Sequence, residues 1–134
     1  MTTRRTNRIL IGGVVIGIAA LAATLLPMLA STELEHTREI RLVVRDMTFY
    51  LEGQPQPNPT LTVLAGEQLR LVVRNEDPGM RHDFVVQAWQ VGTRTLVDRG
   101  EEDTITFRAP SERGDQTYLC TPHAKMMRGT IRVE

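Results

Sequence analysis

From residue 40 onward the chain is cut into short runs rich in Val, Leu, Ile and Thr, each closed by turn-forming residues, and this restricts it to a β architecture. The runs cover 40–45, 47–51, 60–64, 68–74, 83–88, 94–98, 104–108, 116–120 and 129–133. In the first of them Ile40, Leu42 and Val44 alternate with Arg41, Val43 and Arg45, the period of a strand with one buried face. The breaks carry turn chemistry: three prolines between Gly53 and Pro59, then Ala65-Gly66, Asp77-Pro78-Gly79, Gly92, Gly100 and the stretch 111–115. No ten-residue window here combines helical apolar spacing with caps. Eight or nine strands without helices to make crossovers predict a mainly antiparallel sandwich or barrel. Phe49, Phe84, Trp89, Phe107 and Tyr118 are expected in its core or on its sheet faces.

Ahead of this part, Ile9 to Ala30 holds no charged residue. At about 1.5 Å per helical residue such a segment reaches roughly 33 Å, enough to cross a hydrocarbon core of about 30 Å. Arg4, Arg5 and Arg8 precede it and Glu33, Glu35 and Glu39 follow, a bias that retains the N-terminus in the cytoplasm and exports the rest. The expected organisation is an N-terminal transmembrane anchor (1–30), a polar linker (31–39) and one extracytoplasmic β domain (40–134). The alternative for the first segment is an export signal cleaved near Ala20-Leu21-Ala22. His36 is read as a solvated linker histidine.

Charge and cysteine count exclude other classes. The 16 basic residues balance 16 acidic ones, but three arginines lie before the apolar segment, so the remainder is slightly acidic and lacks a nucleic-acid-binding footprint. A single cysteine rules out an intramolecular disulfide framework.

That cysteine stands in the most informative stretch, Tyr118-Leu-Cys-Thr-Pro-His-Ala-Lys-Met-Met-Arg-Gly-Thr-Ile131, where a strand ends in Cys120 and a loop then presents His123, Met126 and Met127. Thiolate and thioether are soft donors suited to copper, and two imidazoles with a thiolate plus a long axial methionine form the blue-copper electron-transfer site. The second imidazole has one source besides the linker: His82, which follows the turn Asn75 to Arg81. Structural zinc wants paired cysteines, and a Cys120 nucleophile paired with His82 or His123 lacks an oxyanion loop, so no enzymatic activity is expected.

These residues resemble the copper-binding end of the cupredoxins, the family of plastocyanin, amicyanin and azurin. Cys120-Thr-Pro-His123 is similar to the amicyanin and plastocyanin Cys-x-x-His, and His123-Ala-Lys-Met-Met127-Arg-Gly-Thr to the azurin His-x3-Met-Lys-Gly-Thr. The resemblance implies an all-β Greek-key sandwich holding one type 1 copper ion on His82, Cys120, His123 and a methionine. Counted forward from His123, the amicyanin spacing His-x2-Met implies Met126 as the axial ligand, whereas the Met-x-Gly arrangement shared by several members, counted back from Gly129, implies Met127, which is favoured. Asp83 stands where plastocyanin and azurin carry an asparagine that helps hold the copper loop, and an ionised carboxylate cannot donate to the cysteine sulfur. The implied function is a monomeric carrier of single electrons between membrane redox proteins, docking through His123. Pro78, Met80, Pro122 and Met126 would make the contact, and Arg81, Lys125 and Arg128, opposed by Asp77 and Asp83, would set the rim charge. The alternative is a carrier that delivers copper to an oxidase or protects against it.

Overall fold

Nine strands, and no helix beyond short 3₁₀ turns, are present in the described residues, 36–134, of a computed structural model. The segment expected to be the anchor, and residues 31–35 of the expected linker, lie outside the described residues. No helix among the described residues is long and apolar enough to cross a membrane.

The strands are β1 (Arg38–Arg45), β2 (Thr48–Leu51), β3 (Leu61–Val63), β4 (Gln68–Asn75), β5 (Val85–Val86), β6 (Val91–Gly92), β7 (Glu102–Arg108), β8 (Gly114–Leu119) and β9 (Arg128–Val133). They form two sheets, ordered β2-β1-β4-β7 and β3-β9-β8-β5-β6. The expected antiparallel pairing dominates, but β1 with β4 and β3 with β9 run parallel. The cause is connectivity: β3, between β2 and β4 in the chain, belongs to the opposite sheet, so β4 returns beside β1 by crossing between layers and not by a hairpin.

Alternation builds the core. Ile40, Leu42 and Val44 of β1, Leu69, Leu71 and Val73 of β4, and Ile131 and Val133 of β9 all point into one cluster shared by the two sheets. At about 1.5–3 kcal/mol for each fully buried aliphatic side chain, this cluster is the main favourable term in folding. Val43 faces outward yet is also buried, because its register partners Tyr50 and Arg74 cover it. Phe49, Phe84 and Tyr118 close the end of the core beneath the loops. The Phe84 and Tyr118 rings stack at 5.2 Å, and both meet the edge of Phe49 at 6.0 and 5.4 Å. The buried Tyr118 hydroxyl donates to the Pro59 carbonyl at 2.6 Å, which ties the proline-rich loop to β8.

Three details depart from the sequence reading. β1 begins at Arg38, inside the expected linker, where the Arg38 guanidinium forks onto both oxygens of Glu67 at 2.6 and 2.9 Å. The run expected to be a strand over 83–88 shortens to β5, because Gln87–Trp89 turn into a 3₁₀ segment closed by Gln90 in the left-handed region. The run 94–98 forms only an isolated bridge at Leu96. Its amides are taken by carboxylates instead: Arg94 N–H donates to Asp103, and Val97 and Asp98 N–H both donate to Glu101.

Candidate metal centre

The Leu96 bridge positions the first histidine. His82 N–H donates to the Leu96 carbonyl at 2.9 Å and the His82 carbonyl accepts the Leu96 N–H at 2.7 Å, which fixes the backbone as it enters the core. The ring is fully buried. The turn that delivers it is tied internally: Asn75, also buried, accepts the Asp77 N–H on Oδ1 at 2.9 Å and donates Nδ2 to the Met80 carbonyl at 3.2 Å.

The second half of the site comes from the end of β8 and the loop after it. Cys120 leaves the strand, and Thr121–His123 make one 3₁₀ turn with Pro122 near its start, where the missing proline N–H costs no hydrogen bond. The loop closes on itself. Cys120 N–H donates to the Met127 carbonyl at 3.0 Å, and Met127 N–H donates back to the His123 carbonyl at 2.9 Å. Asn58, in the left-handed region at φ 45°, pins it from outside by donating Nδ2 to the Met126 carbonyl at 3.2 Å.

Gly129, two residues on, is a steric necessity. A Cβ there would lie 2.3 Å from atoms of the Tyr118 ring, its register partner on β8. The glycine of the Met-x-Gly pattern therefore lets Tyr118 lie across β9 under the loop.

These elements bring three donors together. Cys120 Sγ lies 3.8 Å from His82 Nδ1 and 3.6 Å from His123 Nδ1, and all three ligand atoms fall within 4.8 Å of one another. The two imidazole rings sit 5.0 Å apart. Nitrogen and sulfur donors at about 2.0 and 2.3 Å from one ion, at angles near 110–120°, are separated by roughly 3.5–3.7 Å, so both sulfur–nitrogen spacings are those of donors to a single ion. Met127 is completely buried, while Met126 is 58% exposed. One thiolate, two imidazoles and a buried thioether fit copper better than zinc. The sequence-predicted residues His82, Cys120, His123 and Met127 thus come from one end of the sandwich, whereas His36 is exposed at the start of the described chain.

Electrostatics favour a neutral imidazole and a thiol that gives up its proton on binding. Burial holds the His82 imidazole below its ordinary value, against the opposing pull of Asp77. Burial pushes the Cys120 thiol up, while the backbone amides of Asp83 and His123 favour the thiolate. Metal binding must therefore displace that proton. Asp83 serves the loop as an acceptor: its Oδ1 takes the Thr121 N–H at 2.6 Å, joining the two ligand-bearing segments.

Sequence reasoning missed Asp77 and Asn58. The sequence places Asp77 and Asp83 at the rim, opposing the arginines, yet both are buried and bonded inward. Asp77 Oδ1 accepts the Asp46 N–H at 2.7 Å, and Oδ2 accepts the Met47 N–H at 2.9 Å and lies 3.1 Å from His82 Nε2. Burial raises its carboxyl, but the amides of Met47 and Asp46 and the neighbouring His82 outweigh it and hold the group below the usual range. In the sequence it is the Asp of an Asp-Pro-Gly turn, where aspartate needs no other reason.

A family model described as a cupredoxin-like domain matches residues 17–133. The chain belongs to the cupredoxin family. Among solved structures, rusticyanin from Thiobacillus ferrooxidans superimposes with a TM-score of 0.58 at 21% identity, covering 73% of this chain and 77% of that one. Auracyanin from Roseiflexus castenholzii gives 0.57 at 20% identity, covering 74% and 99%. Auracyanin A from Chloroflexus aurantiacus, described as a "blue" copper protein, gives 0.55 at 17% identity, covering 74% and 100%. No curated protein matches the sequence. In this cupredoxin, then, the fold and the clustering of His82, Cys120 and His123 go with the family, and the carboxylate of Asp77 stands behind His82.

Proposed function

We propose that this cupredoxin is a mononuclear type 1 copper electron carrier with His82, Cys120 and His123 as equatorial ligands and Met127 as the axial one. The observation that carries the reading is Cys120 Sγ lying 3.6 and 3.8 Å from the two imidazole Nδ1 atoms, with Met127 buried in the same loop. Bound copper supplies a one-electron couple between Cu(I) and Cu(II). The protein's part is to hold donors that suit both states, so that little moves on electron transfer. Hydrogen bonds within the 120–127 loop and from Asn58, Asp77 and Asp83 fix those donors. Burial of Cys120 and His82 excludes water and leaves His123, half-buried, as the ligand nearest the surface.

That surface suits brief docking. Thr121, Pro122, Ala124, Lys125 and Met126 surround His123 in a shallow, mostly apolar hollow, with Arg81 and Arg128 exposed nearby. Small apolar contacts with cationic rims favour fast association with a partner carrying an acidic face. Together with the arginine-flanked apolar segment, this supports a membrane-tethered protein whose monomeric β domain passes electrons between redox proteins outside the cytoplasmic membrane and transforms no substrate. The test is metal loading of the purified protein. One copper per chain, preferred over zinc, is expected, and a colourless or zinc-preferring site would favour the copper-delivery alternative.

A further inference from the structure

Asp77 is the only carboxylate among the described residues that contacts the imidazole of His82, and it does so from inside the fold. Its two oxygens are fully engaged. Oδ1 and Oδ2 accept consecutive amides of the β1–β2 turn, Asp46 and Met47, both in the left-handed region at φ 52° and 56°. A turn with two such residues is well defined, and Asp77 reaches it across 31 positions of sequence. Oδ2 then faces His82 Nε2 on the side of the ring opposite to Nδ1, which faces Cys120.

We propose that Asp77 is a positioning residue for the metal centre. Its carboxylate holds His82 in the Nε2–H tautomer, aims the Nδ1 lone pair at the metal position, and fastens this ligand to the β1–β2 hairpin. The opposite tautomer would set an Nε2 lone pair against a carboxylate oxygen that has no proton to offer, which is repulsive. A carboxylate accepting from a ligating imidazole also makes it a stronger donor. Stronger donation favours Cu(II) over Cu(I), so Asp77 lowers the reduction potential. The inference about copper rests on the function proposed above; the inference about the tautomer does not.

Nitrogen-15 NMR of the full chain without metal, at a pH where the ring is neutral, decides the tautomer. Protonated Nε2 and bare Nδ1 on His82 are expected, and protonated Nδ1 would overturn the proposal whether or not copper binds. For the copper part, Asp77→Asn should weaken Cu(II) binding by about 10–100-fold while weakening Cu(I) less. If the two losses differ tenfold, the potential rises by about 59 mV. A role confined to bracing the turn would lower thermal stability but leave the potential in place. An unchanged potential in a folded Asp77→Asn protein would therefore refute the electronic role. Should that variant not fold, the wild-type tautomer still decides the positioning role. A wild-type protein that binds no copper would overturn the proposed function and with it the electronic role, leaving the tautomer to be judged separately.

Discussion

Met126 and Met127 share a chemistry and differ in direction, because adjacent residues in the loop cannot both face the core. Burial of Met127 and exposure of Met126 assign them different work. Met127→Leu should shift the reduction potential and the visible spectrum while copper stays bound, since the axial bond is long and weak beside the equatorial three. Met126→Leu should leave both nearly unchanged and affect only docking. Electrochemistry on the two variants checks this, and the reverse ranking would make Met126 the axial ligand. Cys120, His123 and Met127 were readable in the sequence because soft and imidazole donors close together in one short stretch are rare, and His82 because it is the one other histidine outside the linker. Asp77 and Asn58 were not. Their partners lie 30 and 68 positions away, and only the folded chain brings Met47 to one and Met126 to the other.

Strands were readable where one face alternates, as in β1 and β4, and unreadable where side chains replace the ladder. The 94–98 run has the β-branched composition of a strand, yet Glu101 and Asp103 take its amides. Glu101 makes this measurable. The Val97 and Asp98 amides, with Arg94 between them in effect, hold its carboxyl down from 4.5 to about 2. A depressed carboxyl stabilises the loop fully above its unfolded value and loses that contribution as pH falls from about 4.5 towards 2. The NMR shifts of the Val97 and Asp98 amides should accordingly titrate near 2, and a midpoint near 4.5 would mean that the Glu101 contacts do not persist in solution. The β8–β9 pair offers a steric test. Gly129→Ala would drive a methyl into the Tyr118 ring, an overpacking worth about 1–3 kcal/mol of lost stability. For a domain of this size, that lowers the melting temperature by roughly 4–8 °C per kcal/mol in thermal denaturation. The parallel pairings, by contrast, had no local signal, because they follow from which sheet β3 joins.

The β domain, residues 36–134, joins a charge-laced sandwich to one end that carries the donors and an apolar, cation-rimmed surface. With Asp77 and Asp83 turned inward, Arg81, Lys125 and Arg128 stand less opposed there than their sequence neighbours suggest. Reversing Lys125 and Arg128 to Glu should slow reduction by the native donor through association. Stopped-flow rates should converge with wild type as salt shortens the Debye length from about 30 to 8 Å. Unchanged rates and salt dependence would move docking to another face. The proposed function depends on the thiolate of Cys120 binding copper together with His82 and His123. The most direct measurement is the visible absorption spectrum of the Cu(II)-loaded protein beside that of Cys120→Ser. Thiolate-to-copper charge transfer predicts an intense blue colour in the wild type that the serine variant lacks, whereas a colourless copper complex, or a colour that survives Cys120→Ser, would contradict it.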